Sequence, residues 1–255
     1  MTPDFWAYVP LLVAAAFAAG VLNAIAGGGS FLTFPALVFA GVPPIEANAT
    51  SALAVSPGYL GSTLGFKPEL RELPVRRLRR ELLISAVGGV TGALLLLVTP
   101  SRLFSDIVPW LLLFATVLFA AGPALAKGAQ AVSGNGQGLA RWREAGLLVV
   151  AVYGGYFNGG LGILLMALYT VIGESRLNTV NALKNINSLV LSWVSVIAFI
   201  AAGAIAWREG VLMMLAATAG GYMGARWSKR LPVRWVRYGV IVTGLVMTGL
   251  FFLKT

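Results

Sequence analysis

Two stretches of this chain, Leu82–Val98 and Ile107–Leu125, carry no charge and are apolar on every face of any helix they form. A helical residue advances the chain by about 1.5 Å, so runs of this length approach the roughly 20 residues that cross about 30 Å of hydrocarbon. Within lipid every backbone N–H and C=O must find a partner inside the protein, which leaves only helices and closed barrels. Barrel strands alternate apolar with polar residues, and these runs do not. The whole chain has the same character: 58% of its residues are hydrophobic and 11% charged, against roughly 45–50% and 25% in soluble domains. The sequence therefore predicts an all-α polytopic membrane protein.

Apolar segments run approximately over 5–26, 31–41, 46–66, 82–99, 104–126, 145–158, 161–173, 178–203, 208–225 and 235–253. Between the fifth and sixth lies a stretch rich in Gly, Ser, Asn and Gln, which reads as a solvated linker. The expected organisation is a first transmembrane repeat over 1–126, a cytoplasmic linker over 127–143 and a second repeat over 144–255. The halves share features in the same order. Asn23-Ala-Ile-Ala-Gly-Gly-Gly-Ser30 is matched by Asn158-Gly-Gly-Leu-Gly162, Gly41 through Glu46 by Gly173-Glu174, and Asn48-Ala49 by Asn181-Ala182. An internal duplication is the economical explanation.

Charge decides how the halves are related. One basic cluster is Lys67, Arg71, Arg76, Arg77, Arg79 and Arg80, after the third segment; another is Arg226, Lys229, Arg230, Arg234 and Arg237, after the fourth segment of the second half. Placing both on the cytoplasmic side, as the positive-inside rule asks, requires the halves to be inverted. The same choice keeps Lys127, Arg141, Arg143 and Arg176 inside, leaves Arg102, Arg208 and Lys254 outside, and puts both termini outside. The expected location is the bacterial inner membrane. Nothing basic precedes Lys67, so the opening apolar run lacks the n-region of a cleaved signal peptide and reads as a retained span. Segments 31–41 and 161–173 are too short to cross and read as half-helices. The expected fold is an inverted-repeat bundle of eight to ten membrane segments with two broken or re-entrant half-helix hairpins.

Asn178, Asn181, Lys184, Asn185 and Ser188 recur at helical i, i+3, i+4 and i+7 spacing and make one polar stripe. An ammonium at membrane depth is expensive and marks a solute path, unless it snorkels to the headgroups. Half-helices starting near Ser30 and Leu161 aim their positive ends inward, and glycine lets a solute approach the backbone. The candidate anion site comprises Asn23, Gly27, Gly28, Gly29, Ser30, Asn48, Thr50, Ser51, Asn158, Gly159, Gly160, Gly162, Asn181, Lys184 and Asn185, with Ser30 as N-cap or donor. No acidic residue is expected inside the core beside Lys184; the nearest are Glu46 and Glu174 at segment ends. Coupling through a buried carboxylate is therefore not expected. Glycine in membrane helices often only permits close packing, and that reading is taken for Gly88, Gly89, Gly92, Gly220, Gly221 and Gly224.

Cysteine and histidine are absent, so thiol chemistry, imidazole proton shuttling and the usual zinc or haem ligands are excluded, and neither a metal nor another cofactor is expected. The net charge of +10 sits in short loops between apolar segments, which excludes nucleic acid as the expected partner. The bilayer and a small anionic substrate are the expected partners; a homodimer remains open.

The motifs resemble the sulfite exporter TauE/SafE family, through Gly20-Val-Leu-Asn-Ala-Ile-Ala-Gly-Gly-Gly-Ser30, then Phe34-Pro-Ala-Leu, then Ala47-Asn-Ala-Thr-Ser51, and the counterpart around Asn158–Gly162. The resemblance implies an exporter or permease of small anions such as sulfite or organosulfonates. Where the first half has Asn48-Ala-Thr-Ser51, the second has Asn181-Ala-Leu-Lys184, exchanging hydroxyls for a leucine and a cation. The expected function is a secondary transporter, an exporter of such an anion, working by alternating access around a midplane site. An anion channel, or a membrane enzyme or assembly subunit, is the alternative, and no nucleophile–base pair is visible.

Overall fold

A computed structural model describes residues 5–25, 28–132, 142–174, 176–227 and 233–254. It contains eleven helices and no strand among the described residues: α1 Phe5–Ile25, α2 Ser30–Phe39, α3 Pro44–Gly65, α4 Lys67–Arg71, α5 Val75–Val98, α6 Ser101–Val132, α7 Arg143–Tyr156, α8 Leu161–Val171, α9 Leu177–Ala201, α10 Trp207–Trp227 and α11 Val233–Lys254. Each of the ten expected apolar segments is a helix. Four carry a stretch long and apolar enough to cross a bilayer: Phe5–Asn23, Val75–Val98, Ser101–Ala121 and Leu177–Ala201. α5 begins well before its apolar run, taking Arg76–Arg80 into its first turns. α6 runs on through residues 127–132, where alanine and glutamine favour helix. Of the stretch read as a linker, 133–141 lies outside the described residues, as do 228–232 in the second basic cluster.

Two short helices break the pattern of long ones. α2 and α8 have 10 and 11 residues, about 15 Å of rise, half the hydrocarbon thickness. Each is preceded by a glycine in left-handed backbone, Gly28 at φ 96° and Gly160 at φ 78°, which a residue with a Cβ adopts only under strain. Each ends in the same way: Gly41 and Gly173 lie at φ 89° and 91°, and the next residue's N–H returns to the carbonyl of Leu37 or Tyr169, a Schellman closure. α2 runs back along α1, since Phe5, Tyr8 and Leu12 line one pocket together with Gly41, Val42 and Glu46. α8 likewise returns towards the start of α7, because Arg77 bonds Glu174 while Arg80 bonds Glu144.

Glycine sets which long helices touch. A Cβ on Gly220 would stand 2.0 Å from the Phe17 carbonyl oxygen, and one on Gly224 2.6 Å from Val21 Cα, so α10 lies directly on the backbone of α1. Gly88 faces Ala151 and Gly92 faces Val152 and Tyr156 at 2.1–2.6 Å, so α5 lies on α7 in the same manner. Rising residue numbers on both sides make each pair parallel. The packing role expected of Gly88, Gly92, Gly220 and Gly224 is what the geometry shows; Gly89 has the Leu191 carbonyl oxygen at 3.0 Å, and Gly221 is in ordinary contact with Gly20.

Side-chain bonds then fix the long central helices. Ser85 donates to Asn187 Oδ1 at 2.7 Å and Ser195 donates to the Gly89 carbonyl at 3.0 Å, so α9 runs parallel to α5. Thr50 Oγ1 accepts the Ala206 N–H at 3.0 Å, joining the start of α3 to the chain that leaves the end of α9. α3 and α9 therefore run antiparallel. Phe34 of α2 meets Phe157, just before α8, edge-on at 5.5 Å, so the short helices approach each other in the middle of the core.

Candidate anion site

α3 starts on Pro44, whose fixed φ suits the first helical position, with Glu46 in the first turn. Its interior holds Pro57, which has no N–H for the Leu53 carbonyl; Ser56 Oγ donates to that oxygen instead at 2.9 Å. One residue later Gly58 removes a side chain. Opposite this weakened turn a cavity of about 10 Å³ is lined by Asn23, Gly28, Gly58, Tyr59, Ser62, Gly162, Lys184 and Asn185. It has room for about one water. Residues from α1, α3, α8 and α9 and from the turn into α2 meet there, so both halves of the chain contribute.

Lys184 is 9% exposed and has no carboxylate within ion-pair distance among the described residues. Gly28 precedes α2 and Gly162 lies in the first turn of α8, so the positive ends of two half-helices adjoin the ammonium. Asn23 Oδ1 accepts the Gly29 N–H at 3.0 Å and holds the turn into α2. Asn158, before α8, is buried with neither Oδ1 nor Nδ2 bonded, and the Ser188 hydroxyl one turn beyond Lys184 is also buried and unbonded. Three positive elements without a fixed counter-anion among the described residues make an environment that favours an anion or a strongly dipolar solute.

Of the residues expected at the site, Asn23, Gly28, Gly162, Lys184 and Asn185 line the cavity. Gly160 stands outside the lining, its Cβ position 3.1 Å from Ala115 Cβ and 3.7 Å from the Phe31 ring, which also lies 3.2 Å from the Cβ position of Gly28. Gly27 lies outside the described residues. The others are engaged elsewhere or stand apart from the lining. Asn48 donates to the Tyr156 carbonyl at 3.0 Å, Ser51 shares a 2.6 Å bond with Thr33, and Thr50 holds Ala206. Gly29 packs on the Ala19 carbonyl, and the Gly159 carbonyl accepts the Tyr153 hydroxyl at 2.8 Å. Asn181 is half-buried outside the lining. Ser30 is the first residue of α2 and not its cap: Gly29 takes the N-cap position, with no side-chain bond. The hydroxyls of the first half thus tie helices together, while Lys184, at the matching place in the second half, is left unpaired.

Gly58, Tyr59 and Ser62 were not among the expected residues. Their signal is the Pro57-Gly58 pair inside an otherwise helical pattern, with Ser62 one turn on. Glu81 is 2% exposed and is a buried carboxylate inside the bundle, contrary to the expectation that none exists. It accepts from Arg77 Nε at 2.9 Å and from the Tyr169 hydroxyl at 2.7 Å, and Arg143 stands 3.9 Å away. Asn187 Nδ2 donates to the Tyr169 oxygen at 2.9 Å, and Arg77 also donates to Glu174 at 2.8 Å. This network joins α5, α7, α8 and α9 at the end of the bundle that carries the basic loop.

Long apolar helices, with two half-helices that meet beside a buried lysine, define a polytopic membrane protein. The family model for the sulfite exporter TauE/SafE matches residues 12–251, and the chain belongs to that family. It is similar to a "Probable membrane transporter protein" of Haemophilus influenzae, 28% identical over 249 residues, covering 94% of this chain and 92% of that protein. Escherichia coli K12 YfcA, a "Probable membrane transporter protein", is 29% identical over 252 residues, 94% of this chain and 89% of YfcA. A Sinorhizobium protein, ORF9, of the same description is 28% identical over 245 residues, 92% of this chain and 89% of its own. No solved structure matches.

Proposed function

We propose that this protein is a secondary transporter that exports a small anion, sulfite or an organosulfonate, through a site at Lys184, Asn185, Asn23 and the two half-helix N-termini. The observation that carries the reading is the buried Lys184 ammonium facing a cavity shared by both halves, with no carboxylate partner among the described residues. The membrane-transporter descriptions of relatives that align over about nine-tenths of their length favour it further. Alternating access is supported by the way the halves interlock. α1 lies parallel on α10 as α7 lies on α5, and the matching helices α3 and α9 run antiparallel, as an inverted duplication requires. The glycine pairs that open and close α2 and α8 support the same equivalence.

The test is saturable flux of sulfite and short sulfonates into proteoliposomes. Lys184→Gln keeps a donor but removes the charge. That charge is worth on the order of 4 kcal/mol at contact distance for an effective dielectric near 20, much of it offset by desolvation. Apparent affinity should fall about tenfold or more, 1.4 kcal/mol being one decade. Unchanged affinity would return Lys184 to a structural role, and flux without counterflow would assign the cavity to a channel.

A further inference from the structure

We propose that the anion carries an apolar tail, which lies in a cleft between α1, α3 and α10 while its charged head sits at Lys184. The inference rests on the anion-site reading and names the substrate class more narrowly. The lining of the cavity at Lys184, about 10 Å³, shares Asn23, Gly58 and Ser62 with that of a neighbouring cleft of about 390 Å³. The first volume is that of a water; the second is in the range of ligand pockets, roughly 300–1,000 Å³. A solute at Lys184 therefore extends into the cleft.

The character of the walls says what extends there. The shared wall is polar, through Asn23 and Ser62, while the rest of the cleft is mostly apolar, through Val55, Pro57 and Ala217, with Thr218 and Tyr222 as exposed hydroxyl-bearing residues at its rim. A solute charged on every side would lose hydration against Val55, Pro57 and Ala217 and could recover hydrogen bonds only at the rim. One with a single charged end would not.

Glycine leaves the α3 side of the cleft without side chains, at the exposed positions Gly58 and Gly61. A Cβ on Gly20, in the same lining, would fall 2.0 Å from the Ala217 carbonyl oxygen, so that glycine is required for packing. A Cβ on Gly61 would meet nothing within 4 Å, and one on Gly58 only Asn23 Nδ2 at 3.9 Å. Glycine is the weakest helix former after proline, and at these two positions its missing side chain serves no helix contact. What it leaves is the room beside the site.

The experiment measures equilibrium binding of methane-, butane- and hexanesulfonate to the full chain in nanodiscs, for wild type, Gly61→Leu and Lys184→Gln. Wild type should gain about fourfold in affinity per added methylene, the equivalent of about 0.8 kcal/mol per buried CH₂. Gly61→Leu should bind methanesulfonate within about twofold of wild type and lose the gain with chain length; Thr218→Trp, on the exposed rim, should do the same. Lys184→Gln should weaken the whole series by about tenfold or more. A chain-length gain that persists in Gly61→Leu and Thr218→Trp would assign the gain to partitioning into lipid and the cleft to a bilayer lipid, overturning the proposal. No gain in wild type, with Lys184→Gln still weakening binding, would overturn the tail alone and leave the anion site standing. Lys184→Gln without effect on any of the three would overturn the site on which the proposal rests.

Discussion

Glycine does three different jobs in this chain, and the neighbours of its absent Cβ separate them. Gly28 and Gly160 supply left-handed backbone at the turns into the half-helices, so a side chain there strains the chain whatever the space around it. Gly92 and Gly220 let helix backbones touch, with contacts of 2.1 and 2.0 Å waiting for a Cβ. Gly58 and Gly61 leave space. Gly92→Leu or Gly220→Leu should therefore reduce the monodisperse fraction of purified protein severely, since overpacking typically costs about 1–3 kcal/mol or more, while Gly58→Ala should elute as wild type. Size-exclusion profiles of the three in one detergent decide it, and a normal profile for both leucine variants would sink the close-packing assignment. At this scale Lys184 and Asn185 were legible because a polar stripe with a cation stands out in an apolar helix. The partner of Asn48 was not: its bond runs to Tyr156, 108 residues away, and nothing local to Asn48 announces it.

The helices themselves were legible, since most apolar segments have the length of a span or of half a span and carry their own punctuation of Gly and Pro. What joins them at the basic end was not. Within Arg76-Arg77-Leu-Arg-Arg-Glu81 a single glutamate looks like one more solvated charge at the foot of a helix. Its burial is created by Tyr169 on α8 and Asn187 on α9, which only the assembled bundle brings to α5. Glu81→Ala would leave the Arg77 and Arg143 guanidiniums without this carboxylate and Tyr169 without its acceptor. Removing one member of a buried pair typically costs about 3–5 kcal/mol, so the unfolding midpoint in detergent should drop markedly. Glu72→Ala and Glu144→Ala break the pairs with Arg176 and Arg80, in which every side chain is more than half exposed, and should change stability by less than about 1 kcal/mol. Equal midpoints for all three would remove Glu81 from any organising role. Among the described residues the network has no counterpart at the other end of the bundle, where the pocket beside Glu46 and Glu209 stands open at about 250 Å³. One end is clasped and the other is not.

That asymmetry runs with the distribution of charge over the whole molecule. The ion pairs of Glu72, Arg77, Arg80, Glu81, Arg143, Glu144, Glu174 and Arg176 gather the starts of α5, α7 and α9 at one end. Arg102 and Arg208 begin α6 and α10 at the other. Basic residues are retained on the cytoplasmic side, so the clasped end should face the cytoplasm, with the 67–81, 127–143 and 226–237 loops inside and both termini outside. The chain has no cysteine, which makes single introduced thiols clean reporters. Glu69→Cys and Glu144→Cys should resist a membrane-impermeant maleimide in intact cells and react after permeabilisation, whereas Arg102→Cys and Arg208→Cys should react in both. Because Glu69 and Glu144 belong to different halves, the first in α4 just beyond the end of α3 and the second at the start of α7, their protection from the same side is what inversion demands. Two parallel repeats would place α7 in the direction of α1, and Glu144 would then be labelled from outside while Glu69 was not. That single exchange of labelling would overturn the inverted arrangement and, with it, the alternation of one site between two faces.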